Sequence, residues 1–172
     1  EDLQIGDKLI KCKFPVIDNV KNTIEYPYTN GYFAAKGEYI DLPDYEYDSN
    51  ENKRKRGDTI VKSPCITMEH SWSRGTTSHL ENLEGSTLST FKNNKILVMD
   101  KEKILPKHFI PENCSLKCKL EWFAGYCDAN ADVVEKNGCQ TLNLYSHDTK
   151  FLSDIKLMLQ TCGINPIISL DI

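Results

Sequence analysis

Apolar residues in the second half of the chain fall at helical spacing, with clear punctuation between the periodic stretches. Ser115 stands where an N-cap belongs, and Leu116, Leu120, Phe123, Ala124 and Cys127 follow three or four apart, which predicts a helix from Leu116 to about Ala129. VVEK and CQTLNLYS flank Asn137-Gly138, a pair that tolerates the positive φ angles of a tight turn, so residues 132–146 read as a hairpin. TKFLSDIKLMLQTCG returns to helical spacing, with Phe151, Leu152, Ile155, Leu157, Met158 and Leu159 supplying its apolar side. His147-Asp148 leads into it and Gly163 sits at its C-cap. INPIISLDI then reads as the start of a further strand.

The first half carries the same grammar more weakly. DKLIKCKF and PVIDNV are strand-like and parted by Pro15. A helix is expected from Tyr28 to Lys36, where Gly31, Ala34, Ala35 and Gly37 interrupt aromatic residues. Tyr39 to Tyr47 alternates as a strand, although Pro43 confines it to an edge or a bulge. The segment DSNENKRKRGD, residues 48–58, reads as a polar loop, and ITMEHSW, TLSTF and KILVM as short strands. The order helix–strand–strand–helix–strand of the second half recurs upstream in weaker form, as a helix followed by strands, which makes an internal duplication the first thing to test.

Composition narrows the class without naming an activity. At 40% hydrophobic and 27% charged, the 172 residues are those of an ordinary globular chain, and no apolar run approaches the roughly 20 residues that span a bilayer. The first residues lack a signal peptide's basic-then-apolar layout, and seven unevenly spaced cysteines fit reduced thiols, so an intracellular setting, cytoplasmic or nuclear, is expected. Cys114 and Cys118 tempt a zinc reading, but no second pair at finger spacing accompanies them. His70 and His79, beside Trp72 and Arg74, read as loop or sheet-surface residues before they read as ligands. The net charge of −4 opposes phosphate binding. Residues 1–50 hold ten acids and five bases, whereas residues 51–172 hold fifteen acids and sixteen bases. The dense basic run Lys53-Arg54-Lys55-Arg56 is either a solvated loop or a set of phosphate contacts.

Two nine-residue segments align on their small residues: Thr29-Asn-Gly-Tyr-Phe-Ala-Ala-Lys-Gly37 and Phe123-Ala-Gly-Tyr-Cys-Asp-Ala-Asn-Ala131. Each has glycine third and a small residue ninth. Both resemble the LAGLIDADG motif of homing endonucleases, in which two motif helices pack along a pseudo-two-fold axis. The resemblance extends to residues 1–10, similar to the splicing-domain segment before an intein's nuclease insertion. It also takes in His108-Phe-Ile-Pro111, similar to the lysine–proline block before the second motif, and the hairpin and helix from Cys139 to Ile164. The match is nearest to inteins of viral and eukaryotic ribonucleotide reductases or polymerases.

That resemblance implies an α+β fold of two pseudo-symmetric αββαββα-like halves. Residues 1–24 would be a β-rich splicing-domain remnant or linker, residues 25–110 the first half, and residues 111–172 a second half whose closing hairpin and helix should follow Asp171. Gly31, Gly37, Ala124, Gly125 and Ala131 would let the motif helices approach closely. It also implies site-specific cleavage of double-stranded DNA, with an acid at each motif's eighth position binding Mg²⁺ or Mn²⁺ to activate water. Here those positions hold Lys36 and Asn130, and the usual lysine of the proline block is replaced by His108 with Lys107 adjacent. A lysine ammonium has donors only and cannot ligate a cation, and asparagine lacks the charge. Impaired cleavage with DNA binding retained is therefore expected, Lys36 standing in for the metal's charge. Glu38 and Asp132, two residues past each motif acid, are the alternative metal ligands, and a purely structural insert that binds nothing is the other alternative. Asp128, sixth in its motif opposite Ala34, would be structural. Splicing needs a nucleophilic first residue and a terminal His-Asn pair. Glu1 and Ile172 supply neither, so partners would be the rest of the splicing domain, the host extein and DNA, and no membrane.

Overall fold

In the computed structural model, residues 14–47, 53–68, 83–136 and 138–169 are described, with the side chains of 45–47, 53–58 and 136 excepted. The architecture is α+β, with two antiparallel sheets and three helices among the described residues. In chain order the elements are α1 (Pro27–Lys36), β1 (Glu38–Tyr47), β2 (Lys53–Thr67), β3 (Ser86–Phe91), β4 (Asn94–Met99), α2 (Leu116–Asn130), β5 (Ala131–Lys136), β6 (Cys139–Leu144) and α3 (Thr149–Thr161).

Local signals account for most boundaries. Pro27 opens α1, where its missing N–H costs nothing. The Ser115 side chain accepts from Cys118 N at the start of α2, and the Asp148 carboxylate accepts from Phe151 N at the start of α3. Gly163, at φ 80°, closes α3 as its N–H donates to Gln160 O and Ile164 N–H donates to Leu159 O. Lys92 and Asn93 both take positive φ, which makes the β3–β4 connection a tight hairpin turn.

The four-stranded sheet runs β1-β2-β4-β3, and β5-β6 forms its own pair. β1 and β2 pair over their whole length with an irregularity between Pro43 and Tyr45, whereas β2 meets β4 only at Cys65–Thr67. The β1–β2 ribbon therefore projects beyond the sheet. One sheet face lies under α1, where Phe33 and Tyr32 bury against Ile66, Leu97 and Met99. The second core joins α2 to α3 through Trp122, Tyr126, Phe151, Ile155 and Met158, with Ala34 of α1 completing it. Fully burying side chains of this size stabilises by about 2–3 kcal/mol each.

Three expectations are corrected. Residues 53–58 are strand, not loop, because their backbone continues the ladder with β1 through Lys53, Arg54 and Lys55. Residues 15–20 form no strand. Their polar groups go to helix ends instead: Ile17 N–H donates to Thr161 O, Asp18 Oδ1 accepts from Leu116 N, and Ser115 N–H donates to Asn22 O. Residues 164–169 are likewise irregular. His70, Trp72, Arg74 and His79 lie outside the described residues, as do residues 1–13 and 170–172.

Candidate nucleic-acid interface

The two helices that carry the paired segments cross at their glycines, and they do so reciprocally. A Cβ on Gly31 would collide with the Trp122 carbonyl and stand 3.0 Å from Tyr126 N; a Cβ on Gly125 would collide with the Tyr28 carbonyl and stand 3.0 Å from Tyr32 N. Tyr28 and Trp122 each precede their glycine by three residues, and Tyr32 and Tyr126 each follow it by one. The same backbone contact is thus made twice, as a two-fold axis through the crossing requires. Gly37 and Ala124 do not share in it. A Cβ on Gly37 would meet the Phe33 ring of its own helix, and Ala124 is exposed. Ala131 is half-buried where α2 passes into β5.

Around the crossing the second contact pair is also reciprocal, with different chemistry. The Tyr28 hydroxyl donates to Asp128 Oδ2 at 2.6 Å, while the counterparts Trp122 and Ala34 meet in the buried second core. Burial, and then Asp128, pushes the Tyr28 and Tyr32 hydroxyls above the usual phenol range. Burial likewise raises the Cys127 thiol to about 12, with Asp128 adding to it.

Both helices end at the residues of interest. Lys36 is the last residue of α1, exposed, and has no hydrogen-bond or ion-pair partner among the described residues. Its charge complements the negative end of the helix dipole. Asn130 ends α2 half-buried, and its Nδ2 donates to Tyr145 O at 2.9 Å and to Tyr126 Oη at 3.4 Å. Glu38 begins β1 and accepts from the Thr67 hydroxyl, while Asp132 is exposed on β5 opposite Asn143. His108 packs edge-on against Phe151, 5.5 Å between centroids, beside the first turn of α3, with Lys107 half-buried next to it. Neither bonds to Lys36 or Asn130. The run Lys53–Arg56 lies at the far end of the projecting ribbon, where the backbone is described and the side chains are not.

Comparison with known proteins bears on the second of these helices. The sequence model of the LAGLIDADG-like domain matches residues 117–171, which cover α2, the β5–β6 hairpin and α3. The chain carries a LAGLIDADG-like domain. The chain is also similar to the ribonucleoside-diphosphate reductase large subunit of Invertebrate iridescent virus 6, at 28% identity over 165 residues. That alignment takes in 95% of this chain and 15% of the viral protein's length. No solved structure matches significantly. No helix among the described residues is long and apolar enough to cross a membrane.

Among the described residues, the ends of the two crossing helices do not offer a divalent cation its ligands. Lys36 has donors only, the Asn130 amide is turned to a backbone carbonyl, and no group of three His, Cys, Asp or Glu among the described residues could hold a metal. Three residues that matter here escaped the sequence. Tyr28 and Trp122 lie just outside the nine-residue motifs, yet their three-residue spacing to the glycines places them on the crossing face. Lys119 is fully buried in α2 and donates to Ile17 O at 2.8 Å and to Thr161 Oγ1 at 2.9 Å, which ties the 14–22 segment to both helices. Nothing in local periodicity marks it.

Proposed function

We propose that this chain is the endonuclease domain of an intein lodged in a ribonucleotide reductase large subunit, binding duplex DNA and impaired in cleaving it. The observation that carries the reading is the reciprocal helix crossing with Lys36 and Asn130 at its two ends, where family members generally hold a divalent metal. The ribbon of β1 and β2 supports the DNA part. A two-stranded ribbon fits the major groove, and its β2 strand begins with four consecutive basic residues, Lys53 to Arg56, whose charge suits phosphates. Lys36 supplies a fixed positive charge beside the scissile phosphates without supporting water activation. The rest of the splicing domain and the host extein are the covalent partners. Lys107, His108 and the shifted acids Glu38 and Asp132 are secondary candidates, and the Glu38 carboxylate is already engaged by Thr67.

A structural insert that binds nothing is the second reading, favoured by the net charge of −4. The test pairs a salt-titrated gel shift with cleavage of an intein-free host-gene insertion site in Mg²⁺ or Mn²⁺, using the chain and a Lys36→Asp/Asn130→Asp variant. Salt-dependent binding by both and cutting only by the variant supports the proposal. Absence of binding at low salt establishes the structural insert, and cutting by the unaltered chain moves the metal ligands to Glu38 and Asp132. Lys36→Ala should weaken binding in EDTA; unchanged affinity would remove the charge-substitution role.

A further inference from the structure

The two-fold relation through the helix crossing sets residues of the two sheets in correspondence. Glu38 and Asp132 stand equally far beyond Gly31 and Gly125; Glu38 pairs with Cys65, and Asp132 with Asn143. Asn143 and Leu144 of β6 are therefore the counterparts of Cys65 and Ile66 of β2. In the first half those β2 residues pair onward with Val98 and Leu97 of β4, and Leu97 and Met99 join Ile66 in the core. In the second half β6 pairs with β5 and with no other described strand. Beside β6 lies a cavity of about 310 Å³, lined by Leu144, Ile155 and Leu159 and by the irregular residues 166–169, where Ile167 is 92% exposed.

The composition of β6 suits a second copy of itself. From Cys139 to Ser146 no side chain is charged and none is proline. The edge strand β1 carries Glu38, Asp41, Asp44 and Pro43 with an irregularity in its ladder, and β5 carries Asp132, Glu135 and Lys136. Charges, prolines and bulges of this kind keep edge strands from pairing with another chain. β3 is uncharged as well, but serine and threonine fill four of its six positions. Leu142 and Leu144 share a face with Val133 and Ala131, and Val133 and Leu142 are exposed on it. An antiparallel pairing of β6 with itself, centred on Asn143, sets Leu144 opposite the second copy's Leu142, as Ile66 stands opposite Leu97. Two residues along, the second copy's Leu144 takes the place that Met99 holds in β4, and no charge meets a like charge. We infer that β6 is a homodimerisation edge: two copies join as β5-β6-β6-β5, an antiparallel sheet with the strand number of the first-half sheet, each copy's Leu142 and Leu144 packing at the other's cavity.

The test is analytical ultracentrifugation of the 172-residue chain over a range of about 1–300 µM, with deuterium exchange of residues 139–145 at both ends of that range. A six-residue edge makes a smaller interface than the standard one of about 1,200–2,000 Å², so a dissociation constant on the order of 10 µM is expected. The mass should shift reversibly from monomer to dimer, with slower exchange at 139–145 in the dimer. Leu142→Lys, at an exposed position, should leave the thermal melt of the dilute monomer unchanged and abolish the dimer at the highest concentration. If that variant does not fold, the concentration-dependent protection of 139–145 in the unaltered chain decides alone. A monomer across the whole range overturns the inference, as does a dimer that Leu142→Lys leaves intact or that protects other segments instead. Growth beyond the dimer overturns it too, because a two-fold edge pairing closes on itself. None of these outcomes bears on duplex binding, which the gel shift tests separately.

Discussion

In the first half of the molecule α1 leads into a four-stranded sheet in which β2 pairs with β1 and, at Cys65–Thr67, with β4; in the second, α2 leads into a hairpin, and α3 covers the helix instead. The shared part is the crossing, where backbone meets backbone and glycine is required on both sides. Away from it the counterparts diverge. Tyr28 makes an exposed hydrogen bond where Trp122 is buried. Glu25 forms a surface ion pair with Lys103 at 2.7 Å, where its counterpart Lys119 is fully buried and holds the 14–22 segment. A contact made by backbone atoms constrains both copies equally, and side-chain contacts are free to drift once the halves differ in what covers them.

The equality at the crossing is the first thing to break. Gly31→Ala and Gly125→Ala should each destabilise by about 3 kcal/mol, since the clash is with a carbonyl that cannot rotate away. Chemical denaturation showing one of them neutral would end the two-fold description. Lys119→Met should cost about 2 kcal/mol by leaving Ile17 O and Thr161 Oγ1 without their donor, and should speed amide exchange across residues 14–22. Glu25→Gln, at the matching place just before α1, should change stability by less than about 0.5 kcal/mol.

The helix ends should differ in the same direction. Asn130→Asp sets a carboxylate against Tyr145 O and should cost about 1–2 kcal/mol, whereas Lys36→Ala forfeits only a helix-end charge worth about 0.5 kcal/mol. Comparing the two single variants by thermal melts decides whether Asn130 is a structural latch. The smallest effect concerns pH. Burial raises the Cys65 thiol to about 11, with Glu38 adding to it, and raises Cys114 to about 11 and Cys127 to about 12. The folded state then keeps protons that the unfolded state loses from pH 9.0 upward. The contribution is fully present below that pH and is lost as pH rises through the folded values. Denaturation midpoints should fall between pH 8 and about pH 10.5; a flat profile would show the thiols to be solvated.

Periodicity and caps determined the helices and hairpins of this protein. Ser115, Asp148 and Gly163 bound α2 and α3 as their chemistry dictates, and the paired glycines marked the crossing, because these signals act over one or two turns of chain. Composition misleads at 53–58, where charge suggests a loop although a ladder needs only backbone, and at 15–20, where apolar alternation suggests a strand. Tertiary structure alone decided that residues 14–22 would strap across α2 and α3, that Lys119 would be buried 102 residues from its carbonyl partner, and that the Asn130 amide would turn to Tyr145. Each of these depends on polar groups finding partners across the fold, and a linear pattern encodes a residue's own periodicity but not the distant atom that satisfies it.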